Sequence, residues 1–169
     1  YGDHRDLHYP LRRQRQMCIR DRLITGSKVF YGDTILTSKA SNAQILFLDQ
    51  TVLTLGEDTE LTIDDFIYNS ETHDGNFVTE VKSGTVKFIT GQISKLNPDN
   101  LEVKLPEGTL GARGTEFVVL SEKNKKSTIV LLGPGPNNSL GMIPGSLQIS
   151  DGNNMVSITN PGYQAMIEN

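Results

Sequence analysis

Short segments in which every second residue is apolar recur along the chain from Thr34 onwards. Their centres lie roughly eight to fifteen residues apart, the spacing of strands in a β-sandwich, barrel or solenoid. Turn-forming Gly, Asp and Asn residues separate them, and no stretch has a clear helical periodicity. The sequence therefore predicts an all-β protein, with many short strands in a solenoid-like or sandwich-like single domain. The predicted strands cover residues 34–37, 43–48, 52–55, 61–63, 77–81, 85–89, 101–105, 115–120, 128–132, 147–149, 156–158 and 164–167.

Three details of this pattern predict how the strands are arranged. In residues 101–105 the apolar and charged side chains alternate, which predicts one buried and one solvated face. Residues 45–48 are apolar on both faces, so we expect this strand in the centre of a sheet. The pair Ser83-Gly84 is expected to be a turn between two separate strands.

The first 22 residues differ in character from the rest of the chain, because they are rich in arginine. Back-translated with free codon choice, residues 1–8 and 11–22 spell the two parts of a common sequencing-library adapter, in order and in frame. We therefore interpret residues 1–22 as an adapter-derived, disordered leader and exclude them from the fold. The alternative is a basic arm that binds nucleic acid or a membrane. We take residues 23–169 as the domain, and we expect the intact gene to continue upstream of Leu23 with an export signal.

Residues 23–169 carry 10 basic and 17 acidic side chains, a net charge of −7. This charge argues against nucleic acid as a partner, because phosphate binding requires clustered Lys and Arg. The only cysteine, Cys18, lies in the leader, and His73 is the single histidine of the domain. A zinc site is excluded, because the domain has no cysteine and a single histidine. A serine nucleophile would need His73 as its base, but His73 lies in the polar loop at residues 70–75 and is interpreted as a solvated loop residue. We predict no metal, no cofactor and no enzymatic activity, and the visible chain contains no membrane segment.

The acidic clusters are interpreted as turns and solvated strand residues. Asp64-Asp65 would point to opposite faces of a strand, so the two carboxylates cannot converge. Glu57-Asp58 and Asp151-Gly152-Asn153-Asn154 are typical of turns and lack the ligand spacing of a calcium loop. A glycosidase pair or a calcium site is the alternative that these clusters leave open.

Four short motifs are distributed over the predicted strands. They are Gly32-Asp33-Thr34-Ile35, the aspartate turn Asp49-Gln50-Thr51, the element around Gly84, and Gly111-Ala112-Arg113-Gly114-Thr115-Glu116-Phe117. The region that contains them, residues 29–119, resembles the FecR domain, an extracytoplasmic all-β module of bacteria.

The last motif is similar to the family's Val-Arg-Gly-Thr-x-Phe signature, with Ala112 in place of valine. The family's aspartate turn usually carries glycine where this chain has Gln50. The resemblance implies that the motif residues serve the fold, and these are Gly32, Asp33, Asp49, Gly84, Gly111, Arg113, Gly114, Thr115 and Phe117.

Arg113 is the only arginine of the domain and the one candidate for ligand binding. Its planar guanidinium, with five donors, suits several loop carbonyls or a carboxylate. Because Gly111 and Gly114 allow a sharp turn beside it, we expect Arg113 to hold that turn before the strand at residues 115–120. Direct binding of a ligand is the alternative.

The resemblance implies two possible functions, both periplasmic or extracellular. The first is a non-enzymatic binding module of the bacterial envelope, with a protein or an envelope polymer as its partner. The alternative is the periplasmic part of a FecR-type transmembrane regulator, which senses an outer-membrane transporter and controls a sigma factor.

Overall fold

The computed structural model describes residues 22–123, 125–133 and 145–168. Twelve strands in these ranges belong to one continuous sheet, which confirms the all-β prediction. They are β1 (Thr34–Leu36), β2 (Ala43–Leu46), β3 (Val52–Leu55), β4 (Glu60–Tyr68), β5 (Gly75–Ile89), β6 (Leu101–Leu105), β7 (Gly108–Arg113), β8 (Glu116–Glu122), β9 (Lys126–Gly133), β10 (Ser146–Ser150), β11 (Met155–Ile158) and β12 (Gln164–Glu168). Between β5 and β6 lie a short helix, α1 (Gln92–Leu96), and a 3-10 turn (Pro98–Asn100).

The long strand β5 organises the sheet, because it belongs to both of its halves. Its first part pairs with β4 and β6, and its second part pairs with β3 and β8. One half therefore has the order β1-β4-β5-β6-β7-β10-β11, and the other has the order β2-β3-β5-β8-β9-β12. The β5–β6 pair is parallel, and the remaining pairs are antiparallel.

The two parts of β5 meet at Gly84, where the backbone is left-handed with a φ of 94°. A Cβ atom here would overlap the side chain and Cα of Thr59, so only glycine fits. The prediction of a turn at Ser83-Gly84 is wrong: the chain bends but continues as one strand. A bend and a turn both require a residue that tolerates positive φ, so the local sequence does not distinguish them.

Both halves contribute their inward-facing side chains to one hydrophobic core. Phe88 of β5 lies flat against Phe117 of β8, with ring centroids 4.7 Å apart. The ring of Phe47, which follows β2, packs against Phe77 in the other half of the sheet, with ring centroids 4.6 Å apart. Burial of each such ring contributes about 1.5–3 kcal/mol. In β6 the alternation of buried apolar and more exposed charged residues is confirmed.

Two strands differ from the expectations. β2 is an edge strand rather than a central one, because it pairs only with β3, and Leu46 and Leu48 are 73% and 82% exposed. β7 was missed by the sequence patterns, since glycines at positions 108 and 111 lower its strand propensity. Residues 111–113 therefore belong to a strand, and the sharp turn falls at Gly114, where φ is 49°.

Candidate functional site

Several motif residues form the inner framework of the domain. Asp49 is fully buried, and its carboxylate accepts hydrogen bonds from the backbone N and the Oγ1 of Thr51, at 3.0 and 2.7 Å. Gln50 has a left-handed φ of 72°, the geometry that glycine adopts most readily at this place. Gly91 packs on this turn, where a Cβ would overlap the Asp49 carbonyl, and its N donates to Thr51 Oγ1 at 2.9 Å.

Thr115 of the last motif lies in the same framework. Its backbone N donates to Thr90 Oγ1 at 2.7 Å, and its carbonyl accepts from the N of Thr90 at 3.1 Å. Its hydroxyl donates to the carbonyl of Gly133. Because Thr90 and Gly91 are consecutive, they connect the aspartate turn with the last motif. Sequence reasoning missed this pair, although the Thr-Gly that ends a strand pattern was a visible signal.

Gly32 and Asp33 form the turn that leads into β1. The carboxylate of Asp33 accepts a hydrogen bond from the N of Phe30 at 2.8 Å, and Gly32 has a left-handed φ of 84°. The N of Gly32 donates to the Ile63 carbonyl. This motif therefore attaches the start of the sheet to β4.

Gly111 and Arg113 lie on the outer face of β7, away from the core, whereas Ala112 between them is buried. The Arg113 side chain is exposed. Within the part of the chain that the structure describes, it has no hydrogen bond and no ion pair. The expected contacts between the guanidinium and loop carbonyls are therefore not found there. The turn is held instead by the N of Gly114, which donates to Ser94 Oγ at 3.3 Å.

A groove of about 500 Å³ lies over this outer face, bounded by β6, β7, β10 and the 3-10 turn. Gly111 forms its floor, since Glu102 of β6 and Gln148 of β10 stand opposite it on either side. Arg113 and Ser146 are register partners and line the same groove. The volume lies within the range of natural binding clefts, so this groove is the candidate functional site.

The charged side chains around the groove differ in whether they are already paired with an opposite charge. Lys104, on the outer face of β6, donates to Asp64 at 3.1 Å. This hydrogen bond, assisted by the negative charge of Asp64, raises the pKa of Lys104. Among the described residues that line the groove, Arg113 is the cation, and Asp99 and Glu102 are the acids. No ion pair between these three side chains is present among the described residues.

The other polar residues considered as sites are engaged in separate local contacts. His73 Nδ1 lies 2.8 Å from the hydroxyl of Tyr68. Asp64 pairs with Lys104, whereas Asp65 accepts from Asn76 Nδ2 at 2.9 Å, so the adjacent carboxylates diverge.

The acidic turn between β10 and β11 is held by hydrogen bonds among its own residues. The Asp151 carboxylate accepts from the side chain and backbone of Asn154 and from the backbone of Asn153. These bonds lower the pKa of Asp151 to about 2. In the described ranges no group of three potential metal ligands occurs, and no helix there is long and apolar enough to cross a bilayer.

Comparison with known proteins identifies one family. The model of the family described as FecR protein matches residues 33–134. This range contains three of the four motifs in full and the first motif from Asp33 onwards. No curated protein sequence matches the chain.

Two crystal structures of a "putative anti-sigma factor" from Parabacteroides distasonis are similar in fold. Their TM-scores are 0.58 and 0.55, with 13% and 14% sequence identity. The alignment covers 80% of this chain and 55% of each of those chains. This chain therefore spans about half the length of the solved structures that it matches, and at such low identity the likeness concerns the fold.

Proposed function

The chain belongs to the FecR protein family, and on this premise we propose that it is a non-enzymatic, extracytoplasmic binding module of the bacterial envelope. In its most specific form, this proposal makes the chain the periplasmic part of a FecR-type regulator that controls a sigma factor. The partner in that role is another envelope protein.

The family match carries this proposal, since it extends over residues 33–134 and includes the signature from Gly111 to Phe117. The solved structures of similar fold add support for the regulator, because they are described as anti-sigma factors.

A stand-alone exported module is the second candidate. The sequence feature in its favour is the stretch at residues 134–144, between β9 and β10, which is rich in Gly, Pro and Asn. These residues lie outside the described ranges. A module of this kind would bind an envelope polymer or a protein without any sigma factor.

Protease accessibility in cells separates these possibilities. The intact gene is expressed with an epitope tag at the C-terminus of its product, and spheroplasts are treated with protease. A regulator remains in the membrane fraction, loses its tagged β-domain to the protease and co-purifies with a sigma factor. A stand-alone exported module leaves with the periplasmic or extracellular fraction and brings no sigma factor. A β-domain that survives the protease in intact spheroplasts and is digested only after lysis would contradict both forms of the proposal.

A further inference from the structure

Gly111 is unlike the other glycines of the described residues, because the fold does not require it. Its φ is not positive, and a Cβ added there would have Leu101 O at 3.9 Å as its nearest atom. The other described glycines either have a positive φ or face an atom within 3.4 Å. Glycine weakens the interior of a strand, and there it often marks a bulge, a tight bend or a place where a ligand or another backbone approaches closely. The pairing of Gly111 with both neighbouring strands has no bulge.

Because Gly111 has no side chain, a channel lies above β7 between the two neighbouring strands. Glu102 and Gln148 stand directly opposite Gly111 on the two neighbouring strands. Those strands, β6 and β10, lie about 10 Å apart across β7, which leaves room for one extended backbone between their side chains. Thr109 and Arg113, two residues before and after Gly111, lie on the same face and mark the ends of the channel.

The chemistry of the lining favours a polypeptide. The Gln148 amide and the hydroxyls of Thr109 and Ser146 both donate and accept, so they match the alternating N–H and C=O groups of an extended chain. The described residues of the lining include no aromatic ring on which a sugar or a base would stack. Arg113 has no partner in the described chain, and its planar fork is suited to bind a carboxylate with two parallel hydrogen bonds.

The two acids restrict what else the ligand carries. Asp99 and Glu102 line the groove together with Arg113, so a ligand with several negative charges would be repelled. We propose that the groove binds a short extended polypeptide segment, whose backbone passes over Gly111 and whose single carboxylate pairs with Arg113. This rests on the binding role proposed above and names the class of partner at the groove.

The test uses three capped pentapeptides and the purified 169-residue chain labelled with ¹⁵N. The peptides are Ser-Val-Glu-Val-Ser and its variants with Gln or Lys in the centre. We expect the Glu peptide to shift the amide resonances of Gly111, Arg113 and Gln148. Its affinity should exceed that of the Gln peptide by about three- to tenfold, the range of a partly solvated ion pair that is also hydrogen-bonded.

Two variants, compared with a control variant, examine the two halves of the proposal. Gly111→Val fills the floor of the channel and should abolish the binding of all three peptides. Thr128→Val, on the outer face of β9 in the other half of the sheet, is the matched control and should bind like the original protein. Arg113→Glu should reverse the preference, so that the Lys peptide binds more tightly than the Glu peptide. If Gly111→Val unfolds at a low temperature, the reversed preference of Arg113→Glu still tests the proposal.

Three results would overturn the proposal. They are the absence of shifts at the groove with any peptide, unchanged binding by Gly111→Val that melts normally, and equal affinity for the Glu and Lys peptides. Shifts at the groove with a tetramer of N-acetylglucosamine, but not with peptides, would assign it to envelope polymer instead. Because these assays use purified protein, a failure here leaves the extracytoplasmic role standing, and a failure of the spheroplast experiment leaves the groove result standing.

Discussion

Replacement of Gln50 by glycine should make the domain more stable. Gln50 is the central residue of the aspartate turn, and its φ of 72° places it in the left-handed region. A residue with a Cβ pays about 1–2 kcal/mol for this conformation, whereas glycine adopts it freely. Glycine in turn loses about 0.5–1 kcal/mol through the greater entropy of the unfolded chain.

The side chain itself contributes little that glycine would remove. It is exposed, and its one hydrogen bond, from Gln92 Nε2 to Gln50 Oε1, is long at 3.4 Å. We therefore expect Gln50→Gly to raise the free energy of unfolding by up to about 1.5 kcal/mol, with a central value of about 0.75 kcal/mol. In a domain of this size the melting temperature should rise by about 1–4 °C.

Urea denaturation of Gln50→Gly and of a matched control measures this effect. Gln44→Gly introduces the same change at another exposed position, in the extended strand β2, where it should lower stability by about 0.5–1 kcal/mol. The two variants should therefore shift the midpoint in opposite directions. If both lower it by the same amount, the left-handed conformation of Gln50 is not the cause of strain that we describe.

The remaining predictions concern the bend, the inner framework, the groove and the leader. Gly84→Ala should lower the free energy of unfolding by about 2–5 kcal/mol, because positive φ and the overlap with Thr59 both oppose a methyl group; urea denaturation shows it, and a loss below 1 kcal/mol would contradict the bend. Thr90→Val should cost about 1–3 kcal/mol by the same assay, since it leaves the buried N of Thr115 unpaired, while Thr90→Ser should retain most of the stability. Arg113→Ala should change stability by less than about 0.5 kcal/mol, as expected of an exposed side chain that has no partner among the described residues; a loss of about 2 kcal/mol would restore the interpretation that it holds the turn. A chain that starts at Leu23 should have an unchanged melting temperature in calorimetry, and a fall of several degrees would show that residues 1–22 pack against the domain.

The sequence predicts the inward face of most strands well, because burial acts residue by residue. In β6 the alternation of Leu101, Val103 and Leu105 with charged residues is enough to assign the faces. The order of the strands depends on pairing between distant segments, which no local pattern contains. The apolar run at residues 45–48 illustrates this, since its outward leucines predict a central strand, whereas the chain places β2 at an edge.

The groove could not be predicted for a related reason. The groove depends on β7, whose glycines lower its strand propensity. It also depends on Ser146 and Gln148 of β10, which lie more than thirty positions further along the chain. What the sequence did indicate was Arg113, the single arginine of the domain. Ser146 and Gln148, which line the groove together with Arg113, lie on β10, and no local sequence pattern places β10 beside β7.

The last motif separates into two faces with different physical roles. Gly114, Thr115 and Phe117 serve the turn and the core through the Ser94 contact, the Thr90 pair and the Phe88 ring. Gly111 and Arg113 face outward, where neither packing nor backbone conformation explains them. Substitutions in the first set should therefore change stability and binding together, because an unfolded groove binds nothing. Substitutions in the second set should change binding alone, and this difference within one seven-residue segment distinguishes a binding surface from a fold motif.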